Sequence, residues 1–431
     1  MGTLAKKLAV LVALTAVLVP LPRPPAAAGK LSLWRLKTYI PPADKILDAN
    51  AQECAKKAGL ELAIQTYTFD DMWTKFTAAI ESKTLPDIAE LDAVGPARLA
   101  NLGRLADVSD VVAAATKELG AILPNADGAV KFGGKYNAVP HYAIPLVLFY
   151  RPDILTKVGA EPPDTWEDIQ KVSEKVKKAG VQEYPNGFPW NRTGDGYDPA
   201  MSLLWSYGAA WVDKSGKFTG IPKAAGVEAL RVVTRAYLAD KTSAFDYLSW
   251  SGATNNEAFI AGKITFTPNG PSILYQEEST QHPLLKDTAI KVMPKGPAGR
   301  NLALTFVMNW AVPTDGKSQK EAKALIGCVM ARENFVKYMQ GSFRQMVPLF
   351  AKPLDDPYWN TPTGKIVVET VKQGHPVGWP GPTTPAAAEV VSGNVLTDMI
   401  TRVIVDKVTP EAAIDEANKR MKEIYDRLPV K

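Results

Sequence analysis

Between residues 30 and 93 the hydrophobic period switches four times, and this constrains the fold more than any other feature of the chain. KLSLWRLKTYI (30–40) alternates apolar and polar residues, as a strand does. ADKILDANAQECAKKAG (43–59) takes up helical spacing and stops at a glycine. LELAIQTYT (60–68) is a second strand, DDMWTKFTAAIES (70–82) a second helix and LPDIAELDA (85–93) a third strand. Strand–helix–strand alternation of this kind predicts an α/β domain.

The alternation resumes further on, after a segment of different character. GGKYNAVPHYAIPLVLFYRPDIL (133–155) has a glycine pair, then prolines bracketing aromatics, then a short apolar strand. Each proline removes a ladder donor, so the segment is poor material for the middle of a regular sheet. TWEDIQKVSEKVKKAG (165–180) is a punctuated helix: Thr165 caps it, Asp168 completes a capping box and Gly180 ends it. The irregular stretch 181–199 leads to a helix around PAMSLLWSYG, and 224–240 is a further helix. NNEAFIAGKITFTPNGP (255–271) reads as helix, turn, strand and turn; 303–315 reads as a strand and 318–340 as helical. In the last helix, 408–428, Thr409 caps, Pro410 opens the first turn, and Ile414, Ala417, Met421, Ile424 and Leu428 form one apolar face. HPVGWPGPTTP (375–385) is a rigid proline-glycine loop, and no internal repeat is visible.

A chain of 431 residues has room for two or three domains. Residues 1–28 have the form of a signal peptide: Lys6 and Lys7, an uncharged apolar run from Leu8 to Leu21, then Ala26, Ala27 and Ala28 before the cut. Such a segment is either cleaved or retained as an anchor. No second apolar stretch is long enough to span a bilayer, so the mature chain reads as soluble and exported to the periplasm. Losing the three cations Lys6, Lys7 and Arg23 lowers the formal charge from +5 to +2, and no basic run carries interleaved aromatics. Nucleic acid is therefore not expected as a partner. Export permits a disulfide between the two cysteines, Cys54 and Cys328, but spacing leaves open whether they pair or are buried separately.

Signatures of catalysis are missing. His141, His282 and His375 lie far apart, with no HExxH and no paired CxxC, so no metal site or other cofactor is expected. Phosphate-binding glycine loops and a GxSxG elbow are absent as well. Aromatic residues in loops stand out instead: Tyr39, Tyr67, Tyr142, Trp190 and Trp379. Rings that cover C–H faces, together with a few directed polar groups, suit a sugar in a cleft. Any one of these rings could equally be a core or loop anchor. Trp73 and Trp166, on helices, are assigned to packing.

Taken in order, several segments resemble the extracellular solute-binding proteins of bacterial ABC importers, the large group that contains the maltose-binding protein. They are TLPDIAELDA, LGRLADVSD, GGKYNAVPHYAIPLVLFYRPDIL, PPDTWEDI, NEAFIAGKITFTPNGP and KVTPEAAIDEANKRM, and they cover nearly all of 30–428. The resemblance implies a type II periplasmic-binding-protein fold: two α/β lobes, joined by a multi-strand hinge, with ligand in the cleft between them. Residues 29–142 plus 303–347 would form the N-terminal lobe, and 143–302 plus 348–431 the C-terminal lobe. The proline-rich 133–155 stretch would then be the first crossing, a hinge rather than a sheet interior.

The resemblance further implies a non-enzymatic monomer that closes on a small solute and presents it to permease subunits. Ligand contacts are expected from Tyr39, Tyr67 and Asp92 in the first lobe, with Tyr142 at the crossing. The second lobe and later returns would add Trp190, Asp198, Asn269, Ser272, Asn309, Arg344 and Trp379. The maltose protein carries tryptophans where this chain has Leu91 and Ser272, so its oligosaccharide platform is not reproduced. A monosaccharide, disaccharide or polyol fits the pattern. The alternatives are a polyamine or organic anion in the same fold, or an exported glycoside hydrolase.

Overall fold

A computed structural model describes residues 29–299 and 302–429, so the signal-peptide expectation lies outside the described residues. β1 (Gly29–Leu36), β2 (Leu60–Tyr67) and β3 (Ile88–Leu91) are parallel, linked by the helices Pro41–Lys57 and Phe69–Ser82. Their order in the sheet is β2-β1-β3, and the strand–helix alternation is the α/β pattern expected. β2 exposes alternate residues at the edge, while every residue of β3 is buried. Thr68 caps the second helix by accepting from Asp71 N at 3.2 Å.

A short hairpin follows, β4 (Lys131–Phe132) and β5 (Lys135–Tyr136), turned by Gly133 and Gly134 at φ 61° and 77°. β6 (Val139–Pro145) then enters the first sheet and β7 (Val147–Tyr150) belongs to a second one, so the chain changes sheets at Leu146. The second sheet is completed by β8 (Phe266–Asn269) and β9 (Ala289–Val292), antiparallel on either side of β7. β10 (Thr305–Ala311) and β11 (Val347–Pro348) return to the first sheet, giving the order β11-β6-β10-β3-β1-β2.

The prolines of β6 are thus inside a sheet after all, and the structure shows how. Pro140 lies opposite Asn309, where the β6–β10 register slips by one residue, and Pro145 is the last residue of the strand. On its other side β6 meets only β11, at Ala143 and Tyr142, so Pro140 faces no ladder acceptor there.

Cys54 and Cys328 are bonded, with Cα atoms 5.9 Å apart, which answers the pairing question the spacing left open. The bridge ties the Pro41–Lys57 helix to the Gln319–Val329 helix across 274 residues of sequence. The expected long helix at 318–340 is broken at Met330–Ala331 into Gln319–Val329 and Arg332–Gln340. The capping box of Trp166–Lys178 forms as expected, Asp168 N donating to Thr165 Oγ1 at 3.0 Å and Thr165 N to Asp168 Oδ2 at 3.1 Å. The closing helix Pro410–Arg427 sits on Lys223–Thr234, Ile414 reaching toward Gly226. The fold is of the two-lobed periplasmic-binding-protein kind, with a cleft between the sheets.

Candidate cleft between the lobes

The cleft has a volume of about 880 Å³. Its walls come from loops at the ends of β1 and β3, the β6–β7 crossing, the start of the Gly194–Ser206 helix, the turn after β8, and the region 391–401. On one side it is bordered by the helices Pro385–Ser392 and Gly95–Asn101, which pack together.

Five of the residues singled out in the sequence line it: Tyr39, Asp92, Asp198, Asn269 and Ser272. Tyr39 is held at φ 61°, a left-handed backbone at the mouth of the site. Asp92 follows β3 and is wrapped by donors. Trp73 Nε1 reaches it at 3.0 Å, Gly95 N at 2.9 Å and Val94 N at 3.3 Å. Gly95 is required there: a Cβ would fall 2.8 Å from Leu91 Cβ and 3.3 Å from Asp92 Oδ1. Burial raises the Asp92 carboxyl above its ordinary range, against the pull of these donors and of Arg98. Arg98 lies 3.7 Å over the Trp73 ring, and its own burial draws its pKa down.

Across the cleft, Asn256 Nδ2 donates to Ser272 Oγ at 3.0 Å and Asn269 Nδ2 donates to Asn256 Oδ1. Arg192 and Arg420 converge on Asp398 at 2.8 and 3.0 Å, fixing the 191–195 loop to the Val395–Ile404 helix. Asp198, in the helix Gly194–Ser206, is buried, and desolvation together with Asp195 and Asp92 raises its carboxyl well above the usual range. Ring contacts complete the wall: Tyr197 stacks with Phe306 at 6.5 Å, and Phe69 meets Phe306 edge-on at 5.6 Å.

The other six residues do not line the cleft. Tyr67 sits on the edge strand, its hydroxyl on Gln65 at 2.7 Å and its ring against Trp34. Tyr142 is 1% exposed and donates to Glu90 at 3.1 Å; Ile144, two residues on, reaches the cleft instead. Trp190 is buried against Phe188 and Trp166, leaving its neighbour Asn191 to line the site. Asn309 supports the cleft from behind, donating to the Asp92 carbonyl at 3.2 Å. Arg344 is engaged by Glu278 at 2.8 Å, and Gln345 beside it faces the cleft. Trp379 stacks on His375 and meets Trp205 edge-on. Conversely Trp73, assigned to packing, is a cleft residue. The sequence reading also passed over Phe69, Arg98, Tyr197, Trp250 and Asn394. A signal existed for Tyr197, in the long irregular segment before a helix, and for Asn256, in the Asn-Asn start of another.

The family model for bacterial extracellular solute-binding protein matches residues 49–364, well over half of the chain. The chain belongs to this family. A probable ABC transporter-binding protein of Deinococcus radiodurans is 27% identical over 277 residues, covering 62% of this chain and 64% of that relative. The chain thus spans somewhat less than two thirds of the relative's length in that match. Among solved structures, a Thermotoga lettingae ABC transporter solute-binding protein bound with α-D-tagatose superposes with a TM-score of 0.80 at 17% identity. That match covers 92% of this chain and 100% of the other. Maltose-bound T. maritima MalE3 gives 0.80 at 20% identity, again covering 92% and 100%. An Arthrobacter chlorophenolicus sugar transporter with laminaribiose gives 0.78 at 18%, covering 92% and 99%. Among the described residues of the present chain no helix is long and apolar enough to cross a membrane.

Proposed function

We propose that this exported solute-binding protein captures a carbohydrate, a mono- or disaccharide or polyol, and delivers it to the permease of an ABC importer. The observation that carries the reading is the composition of this cleft. Exposed ring surface from Tyr39, Trp73, Tyr197 and Trp250 stands beside recessed carboxylates and amides from both sides. Tyr39, Asp92, Asp198, Asn269 and Ser272 would contact the ligand. The lobes would comprise 29–142 plus 303–347 and 143–302 plus 348–431; β1–β5 and β10 fall in the first and β7–β9 in the second, while β6 and β11 straddle the boundaries.

Ligand that touches both lobes favours the closed state by its differential affinity, and the closed shape is what the permease reads. Relatives of the same fold with tagatose, maltose or laminaribiose bound support a sugar. The protein acts as a monomer and does no chemistry on its cargo. Thermal-shift screening against a saccharide library tests this, followed by mass spectrometry of the released ligand. Saturable stabilisation with the sugar recovered intact is expected; turnover of the sugar, or stabilisation by non-saccharides alone, would overturn it.

A further inference from the structure

We propose that Gln345 is a specificity-determining residue of this cleft. Its carboxamide oxygen accepts from one neutral hydroxyl of the ligand, beside a second hydroxyl held by Asn269 and Ser272; the inference rests on the saccharide reading above. Gln345 is 6% exposed and lines the cleft, and its Oε1 receives no hydrogen bond from any described residue. A buried carbonyl oxygen without a donor calls for one that the protein itself does not supply.

The backbone before Gln345 is bent to aim it. Phe343 and Arg344 stand at φ 52° and 68°, the only two successive non-glycine residues in a left-handed conformation among the described residues. The helix Ser272–Thr280 grips both: Phe343 meets Tyr275 edge-on at 4.9 Å, and Arg344 Nη2 donates to Glu278 at 2.8 Å. Just before that helix lies Gly270, and Gln345 rests on it. A Cβ at 270 would fall 3.0 Å from Gln345 Nε2 and 3.1 Å from Oε1, so the absent side chain is what admits the carboxamide. A strained turn, two anchors and a glycine thus bring one polar side chain to one point of the cleft.

The neighbours of Gly270 decide what that point can take. Asn256 donates from Nδ2 to Ser272 Oγ at 3.0 Å and accepts at Oδ1 from Asn269 Nδ2. This relay leaves Asn269 its Oδ1 as an acceptor and Ser272 its hydroxyl proton as a donor. With Gln345 Oε1, the cradle around Gly270 offers two acceptors and one donor, all uncharged. An ammonium carries donors only and leaves the Ser272 proton unmatched; an anion carries acceptors only and meets two carbonyl oxygens. Two adjacent hydroxyls, each donating once and one also accepting, satisfy the set.

Titration calorimetry tests this with D-glucose, sorbitol, maltose and laminaribiose, and with spermidine and citrate as solutes that are not saccharides. Gln345→Leu removes the carboxamide at similar volume, and Gln345→Met is run beside it. Whichever saccharide binds the wild type tightest should lose at least about tenfold in affinity in both variants. Its monodeoxy analogues give a readout that a packing role would not move. One of them should bind the wild type about tenfold more weakly than the parent sugar, and bind Gln345→Leu as well as the parent does.

Unchanged affinity in the variants, or a deoxy penalty that survives in Gln345→Leu at every hydroxyl, would overturn the Gln345 contact and leave the saccharide reading standing. Binding of spermidine or citrate with none of the saccharides would instead overturn the saccharide reading itself. No binding of any probe would overturn the proposal. Because Oε1 has no partner in the fold, the melting temperature of Gln345→Leu without added sugar should be no lower than that of the wild type. A clear fall would return Gln345 to a structural role.

Discussion

The indole N–H of Trp73 donates to Asp92 at 3.0 Å, joining a helix to the loop after β3 at the edge of the cleft. The same ring carries the Arg98 guanidinium on its face, so one side chain holds an anion at its edge and a cation on its plane. Trp73→Phe keeps the ring and deletes the donor to a buried carboxyl. Ligand affinity should weaken by about 1–3 kcal/mol. Calorimetry with any sugar that stabilises the wild type provides the check.

Asp198→Asn should alter the pH dependence of folding in a defined direction. The folded-state pKa of Asp198 lies well above the ordinary 3.8, so the folded protein binds this proton more tightly than the unfolded chain does. Its contribution is therefore lost as pH rises from about 4 through the raised pKa, and the full penalty persists above it. Melting curves of the two proteins should diverge with rising pH, the Asn variant gaining on the wild type. Parallel curves would contradict the burial and charge environment described for Asp198.

Removing the Cys54–Cys328 bridge, by reduction or by the double serine variant, releases a loop of 274 residues in the unfolded chain. The expected loss is about 3–5 kcal/mol in urea unfolding. Sugar affinity should hardly change, since both cysteines lie outside the residues lining the cleft.

Tyr142→Phe removes a buried hydroxyl that serves Glu90, which also accepts from Leu36 N at 2.8 Å. Stability should fall by about 1–2 kcal/mol with ligand binding intact. Loss of affinity at unchanged stability would return Tyr142 to the cleft.

Tyr197→Ala, in contrast, strips a ring from the cleft wall and from its stack with Phe306. Affinity should weaken by about 1–3 kcal/mol, with a smaller change in folding.

The first five elements were legible because each carries its own period and its own stop, from β1 to the buried β3. The capped helices at 166–178 and 410–427 were legible for the same local reason. The site was less so. A tyrosine in a proline-rich crossing resembles a ligand platform whether its hydroxyl meets solvent or Glu90, and Glu90 lies 52 residues away in sequence. Trp190 and Asn191 show the limit: adjacent residues in one irregular loop, one buried against Trp166 and the other facing the cleft. Trp73 was hidden by its helix, since helical spacing says which residues share a stripe but not that the stripe ends at a cavity. The Cys54–Cys328 contact depends on two helices meeting across nearly the whole chain, which no local pattern encodes.

The order of strands has a consequence for how the molecule is made. β6 and β3 are joined only through β10, and β6 meets β11 on its far side. The sheet that opens the sequence therefore cannot close until Pro348 has been synthesised. Until β10 is made, β1, β2 and β3 form half a sheet whose β3 edge has no partner strand, so the first lobe finishes folding late although it begins the chain.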